Sequence, residues 1–463
     1  MTFERAGAAV EQRAVPILVG LAALASLTIL WLGRGLTFFS DEWAFIERRS
    51  LGDPGTWFAP HNEHWSTLPI IAYRALVETA GLGSYLPFLL LLVALHVVVA
   101  ALAFRLVRRR TSAIVALAAS AVVLFFGAGF ENLLWGFQIG FVGAMACGLA
   151  AFEVLDGPPS GRRAVAVAAL LVVALATQGD GLFFVVGAAV EMLLRAEWRR
   201  WLVALLIPVG VYGAWYLAIG STGIGAHRDP FSLASALRVP EFVVSGVGGA
   251  AGAITGVGPT AGLVVAAAIV VWLARLLVRR EPIAPRFLAC AGAIVAAYAL
   301  IALTRAGVTV NQVHYTRYTY ATGILLIVGL AALFGPRLPS FTSLSGRGRL
   351  VAAVAGLAVL EVALVWNVSL LVQGRSLFLE RAALTRALVA ASLAPDRPAA
   401  ADLDRSLILV PSPHTLERIV AAYGSPLSDW FWGSQVEPLR PELLAEANRR
   451  LVEGPPIYPD EEP

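Results

Sequence analysis

Apolar and polar residues alternate along this chain on a scale of tens of residues, not of two or four. Runs nearly free of charge cover Val15–Gly33, Ser84–Phe104, Ser112–Gly127, Leu133–Glu153, Ala164–Ala176, Leu182–Leu194, Leu202–Ile219, Thr260–Val278, Phe287–Thr304, Tyr318–Phe334 and Leu350–Leu371. The longer ones are about 17 to 22 residues, the length that carries a helix across a hydrocarbon layer. Lipid offers no hydrogen-bond partner to exposed backbone, so each run is expected to be helical. The pattern predicts an all-α polytopic membrane protein with about eleven transmembrane helices.

The polar breaks differ by parity. Arg5 and Arg13, Arg105 with Arg108–Arg110, Arg162 and Arg163, Arg195 with Arg199 and Arg200, Arg275 with Arg279 and Arg280, and Arg337, Arg347 and Arg349 fall in alternate breaks. Arginine-rich loops stay in the cytoplasm, which predicts an N-in, C-out chain. Glu241–Val257 is apolar enough to tempt a further span, but counting it reverses the later arginine loops. It is therefore expected as a re-entrant or surface helix on the outer face.

Composition narrows the class. Of 463 residues 58% are hydrophobic and 14% charged, with a mean hydropathy of +0.75. Soluble domains carry roughly 25% charged residues, so a soluble globular enzyme is excluded. Every basic residue is arginine, scattered among loops, and no nucleic-acid partner is expected. Cys147 and Cys290 both fall inside apolar runs, which leaves no disulfide framework. The first run lacks a small-residue cleavage pattern and reads as a retained span.

Two domains are expected. Residues 1–372 form the membrane domain, with a long first outer loop over 34–83. Residues 373–463 form a small outer appendage; from Arg375 onward nine arginines face thirteen acids. Within it 375–393 reads as an amphipathic helix, Leu407–Val410 as a short strand and Asp429–Trp432 as an aromatic cluster, and the end from Pro455 reads as disordered.

The residues with chemical potential all fall on the outer side. The first outer loop holds Asp41, Glu42, His61, Glu63 and His64, followed by an amphipathic stretch, Trp65–Thr79, expected along the outer leaflet. A carboxylate partly desolvated beside aromatic walls gains basicity and suits general-base work on a hydroxyl. The plainer role for this stretch is a helix N-cap, which fits Ser40 better than Asp41. His61 and His64 lack a clear third ligand for zinc, so hydrogen bonding to phosphate or sugar is the expectation; a divalent metal is allowed but not demanded. Glu131 starts a helix and has capping as its plain role, while Gln138, deep in an apolar run, should face the interior and find a partner. Asp180 is the one charge of the Thr177–Gly181 turn. His314, Arg317 and Tyr318 share a face at helical spacing, and a forked guanidinium entering a span from outside suits a phosphate better than simple snorkelling.

Asp41-Glu42 just after the first span, the His61/His64 region before the second, and Arg317-Tyr318-x-Tyr320 at the start of a late span together resemble the GT-C-type membrane glycosyltransferases, the group that holds protein O-mannosyltransferases and aminoarabinose transferases. The resemblance covers the layout of the first ten spans. It implies a polyprenyl-phosphate sugar donor, no redox cofactor, and an extracytoplasmic cell-envelope glycan, lipid or protein as acceptor. It also implies a bacterial plasma membrane location. On this reading Asp41, with Glu42, is catalytic, and His61, His64, His314, Arg317, Tyr318 and Tyr320 hold donor phosphate or sugar. Glu131, Gln138 and Asp180 are secondary candidates. The chain departs from the family in having adjacent rather than separated loop-one acids. A lipid-linked-sugar flippase or a non-catalytic envelope scaffold is the alternative, and a transporter would place ionisable residues at mid-membrane depth; Glu361 lies inside the last span, while Glu191 nears a cytoplasmic end.

Overall fold

Each expected span is a helix in the computed structural model, which describes residues 3–195, 198–223, 232–304, 316–337, 345–428 and 439–454. The chain opens with α1 (Phe3–Leu32) and then builds the first loop from α2 (Asp41–Glu47), α3 (Gly55–Phe58) and α4 (Thr67–Ala80). The bundle continues with α5 (Leu86–Arg108), α6 (Ala113–Leu124), the single turn α7 (Glu131–Leu134), α8 (Ile139–Leu155), α9 (Gly161–Thr177) and α10 (Gly181–Leu193). Then come α11 (Leu202–Ala218), α12 (Leu233–Thr255), α13 (Gly258–Val278), α14 (Pro285–Thr304) and α15 (Thr316–Phe334). The last elements are α16 (Gly346–Leu393), α17 (Pro413–Tyr423) and α18 (Pro441–Glu453). Eight of the described helices are long and apolar enough to cross a membrane, while the helices at Ala113–Gly129 and Gly181–Leu193 are shorter.

Two expectations change. The helix over 375–393 is no separate element: α16 runs unbroken for 48 residues, about 70 Å at 1.5 Å per residue and well beyond a ~30 Å hydrocarbon core. Gly374, inside α16, is a close approach. A Cβ there would come within 2.2 Å of the Phe130 ring. Leu407–Val410 forms no strand; it closes a tight turn in which Leu407 N–H donates to Val410 O at 3.1 Å. Most of Glu241–Val257 lies in α12, one continuous helix of 23 residues capped by Ser232 and carrying Pro240. The 429–432 cluster and the segment after 454 lie outside the described residues.

α4 forms within the expected amphipathic stretch. Ile70, Tyr73, Arg74 and Val77 are buried, while Leu68 is turned outward. Arg74 donates to Ile46 O at 2.8 Å, which ties α4 to α2.

At one end of the bundle Arg286, the second residue of α14, is buried against two acids. Its Nε donates to Glu191 of α10 at 2.6 Å and its Nη2 to Asp156, just after α8, at 3.0 Å. Asp156 also accepts from Arg110 at 2.6 Å. The opposite ends of α10 and α14 line the cavity described next.

Candidate functional site

The site begins with how Ser40 turns the chain. After α1 the segment Leu36–Phe39 is buried, and Ser40 takes a left-handed φ of 52° before α2 starts at Asp41. Ser40 sits at the N-cap position but makes no side-chain cap hydrogen bond, unlike the expected cap. Successive helical residues point about 100° apart, so neighbours cannot share a task at one spot. α2 buries Glu42, Trp43, Phe45 and Ile46 and turns Asp41 to the opening.

Glu42 therefore does not line the cavity. It is fully buried and accepts hydrogen bonds from Phe39 N–H at 2.9 Å, from Tyr85 Oη at 2.6 Å and from Tyr73 Oη. Burial pushes its carboxyl up to about 7, against the pull of the Tyr73 and Tyr85 hydroxyls.

His61 and His64 close a tight hairpin. His61 N–H donates to His64 O at 3.0 Å and the reverse bond is 2.9 Å, around Asn62 at φ 52°. The His61 ring packs edge-on against Phe45 at 4.9 Å and places Nε2 3.5 Å from Asp41 Oδ1. His64 lies over the turn after α9: a Cβ on Gly179 would come within 2.6 Å of its Nδ1, so that turn must be bare.

Arg317, the second residue of α15, places Nε 3.9 Å from Glu131 Oε2 and its guanidinium 5.6 Å from the Tyr318 ring. Burial works to raise the Asp41 carboxyl, but the hydrogen bond and charge of His61, with Arg317 and His64 beyond it, hold it below its ordinary value. The raised basicity expected from desolvation is thus reversed. Asp41 is the ionised acid of the pair and Glu42 the reluctant one.

These groups face one cavity of about 120 Å³. Asp41, His61, His64, Asp180, Arg317 and Tyr318 line it together with Glu63, Gln178, Tyr212 and Thr304, and Phe137, Phe141, Phe183, Leu300 and Ile301 give it apolar walls. The arrangement can receive an anion and a polar ring over a hydrocarbon floor, with an ionised carboxylate at its edge. Among the described residues no group of three or more His, Cys, Asp or Glu is placed to hold a metal ion.

Three further expected residues stand elsewhere. Tyr320 is two positions beyond Tyr318, about 200° around the helix, and its buried hydroxyl meets His96 Nδ1 at 2.8 Å. Glu131 stands behind Arg317 and does not line the cavity. Gln138 ends a 3-10 turn ahead of α8 rather than lying two turns into a helix. It does find an interior partner, accepting from Asn132 Nδ2 at 3.3 Å. His314 lies outside the described residues. Asp180 precedes α10 and makes no side-chain cap hydrogen bond.

Asn62, Gln178, Tyr212 and Thr304 are polar lining residues to which sequence reasoning assigned no role. Gln178 had a signal, as the neighbour of Asp180 in a polar turn. Tyr212 had none, being one more aromatic residue in an apolar helix.

Compared by sequence, the chain matches no protein-family model and no curated protein. Compared by structure, it is similar to crystal structures of ArnT from Cupriavidus metallidurans. The apo state aligns with a TM-score of 0.51 at 17% identity over 82% of this chain and 81% of that one. The form bound to undecaprenyl phosphate aligns at 0.48 and 16% over the same shares. ArnT is a GT-C glycosyltransferase, an aminoarabinose transferase. The resemblance read from short motifs is thereby met at the level of architecture: this chain has the fold of that membrane transferase.

Proposed function

We propose that the chain is a membrane glycosyltransferase that moves a sugar from a polyprenyl-phosphate donor to an extracytoplasmic envelope acceptor by a single inverting displacement. The observation that carries this reading is the convergence of Asp41, His61 and His64 with Arg317 and Tyr318, about 250 residues later in the sequence, on one cavity. The shared fold supports it.

In this mechanism the prenyl chain lies along the apolar wall and the donor phosphate meets Arg317, Tyr318 and His64. Asp41 takes the proton of the acceptor hydroxyl as that oxygen bonds the anomeric carbon. The bond between that carbon and the phosphate oxygen breaks on the opposite face, and its electron pair leaves with the phosphate, whose charge the guanidinium meets. His61 orients the carboxylate. A carboxylate held this acidic is a weak base, so the proton moves late, when the attacking oxygen has become acidic. Glu42 is proposed as a positioning residue because it touches only the backbone and hydroxyls behind the loop.

The transporter reading is weaker here. Glu191 is engaged with Arg286 and Arg195, and Glu361 is exposed on the outside of α16, so neither acid supplies a polar path at mid-depth.

The test is Asp41→Asn in vesicles given labelled polyprenyl-phosphate sugars and envelope acceptors. Transfer should fall about 10²- to 10⁴-fold, the usual contribution of a general base, with donor binding kept. Unchanged transfer at equal expression would sink the assignment.

A further inference from the structure

The stretch that leads into Asp41 is strapped to the far end of the chain. Arg375 Nε donates to Leu32 O at 3.0 Å, and Arg386 Nη2 donates to Gly35 O at 2.6 Å. Between them, the Phe378 ring packs 5.6 Å from Phe39, and the Arg381 guanidinium lies 5.7 Å from the same ring. Positions 375, 378, 382 and 386 recur at helical spacing, so α16 presents this stripe along one side; Ala382 is buried within it. Beyond α16, the turn at 407–410 offers Leu409 O to Ser40 N–H at 3.1 Å. Ser40 and Ile408 on the two sides of that bond both hold left-handed φ values, 52° and 66°, without being glycine. Such conformations persist only where the surroundings over-determine them. None of the strap residues lines the cavity.

We propose that the outer half of α16 and the 407–410 turn form a positioning device for Asp41, fixing where its carboxylate stands relative to Arg317 without touching substrate. The inference rests on the transferase reading above. It assigns the C-terminal appendage a part in the reaction rather than in docking or acceptor choice. A base displaced by about 1 Å can lose 10²-fold in rate while the donor, held by other residues, binds as before. The signature is therefore a kcat loss with an unchanged donor KM.

The experiment compares Arg386→Ala, Arg386→Lys and Phe378→Leu with Arg449→Ala, an exposed residue of α18 that pairs, among the described residues, with Glu446 in the same appendage. Two readouts are taken on full-length protein: donor kinetics, and hydrogen exchange at the Ser40 amide. Arg386→Ala should lower kcat about 10- to 100-fold with donor KM within about twofold, and should speed Ser40 exchange. Lysine, which can still reach the Gly35 carbonyl, should recover part of the rate, and Arg449→Ala should match wild type. Phe378→Leu loosens the same stripe without stranding a carbonyl and answers the question if Arg386→Ala does not accumulate. Faster Ser40 exchange with wild-type kcat overturns the proposal, as does Ser40 exchange unchanged in both strap variants. A wild-type protein that transfers no sugar, yet whose Ser40 amide is released by Arg386→Ala, removes the transferase reading and upholds the strap.

Discussion

Asp41 and Glu42 are neighbours in sequence and opposites in environment. One faces a cavity beside cations and stays ionised; the other is sealed among tyrosines with its carboxyl pushed up to about 7. The sign of the second effect follows from linkage. The folded state holds Glu42's proton more tightly than the unfolded chain does, so its stabilising contribution is complete below the unfolded value and is lost as pH rises through about 7. Apparent thermal stability should decline between pH 5 and 8, by at most about 3 kcal/mol from this group. Glu42→Gln should flatten that slope in a melting series across pH; a slope as steep as wild type would remove Glu42 as its source. Asp41 predicts the reverse placement for activity. Its carboxylate is depressed, so the acid limb of a rate profile should lie below the ordinary carboxylate range. Gly179→Ala should push His64 off the turn and weaken donor binding several-fold, read as a KM increase. The sequence made Asp41, His61 and His64 conspicuous because charge is rare in this chain. It hid the division of labour between Asp41 and Glu42, because which of two adjacent residues points inward depends on where α2 begins. That start is set by a strained Ser40 held from a segment far away in sequence.

At the scale of elements, periodicity and length were enough to find a helix at each apolar run, and they failed where a helix runs on past its apolar stretch. Polar residues after Leu371 and the glycine at 374 look like a boundary, yet a helix needs only internal hydrogen bonds to continue into water, and Gly374 serves Phe130. The Leu407–Val410 run likewise has strand composition but pairs with no other strand among the described residues. The buried Arg286 cluster joins α8, α10 and α14 at the end remote from the cavity, roughly 20 Å along α14 from Ile301 at 1.5 Å per residue. Removing one partner leaves a charge stranded, so Arg286→Ala should cost about 3–5 kcal/mol, whereas Arg286→Met combined with Glu191→Leu should recover most of it. Thermal-shift measurements on the single and double variants check this. Equal melting of wild type and Arg286→Ala would show the cluster to be ornamental.

For the whole molecule, two polar ends are separated by hydrocarbon. Arginines and their acids gather at one end, while the cavity with Asp41, Asp180 and Arg317 lies at the other. The arginine parity predicts that the first end is cytoplasmic. A cysteine at Asp53, exposed in the first loop, should react with a membrane-impermeant thiol reagent in intact cells, and one at Ser160 should react only after the membrane is opened. The opposite pattern would invert the molecule and with it the extracytoplasmic site.

The bond between Ser40 and Leu409 also has a consequence in time. The amide is made early and its acceptor some 370 residues later, which at about 5–20 residues per second is roughly 20 to 75 s of synthesis. Through that interval the nascent chain can already present Asp41 at the membrane surface, but without the partner that holds its loop. A ribosome-bound chain stopped before the 407–410 turn would then be inserted but not yet competent. Asp41 would gain the contact that holds its loop only when almost the whole protein had been delivered.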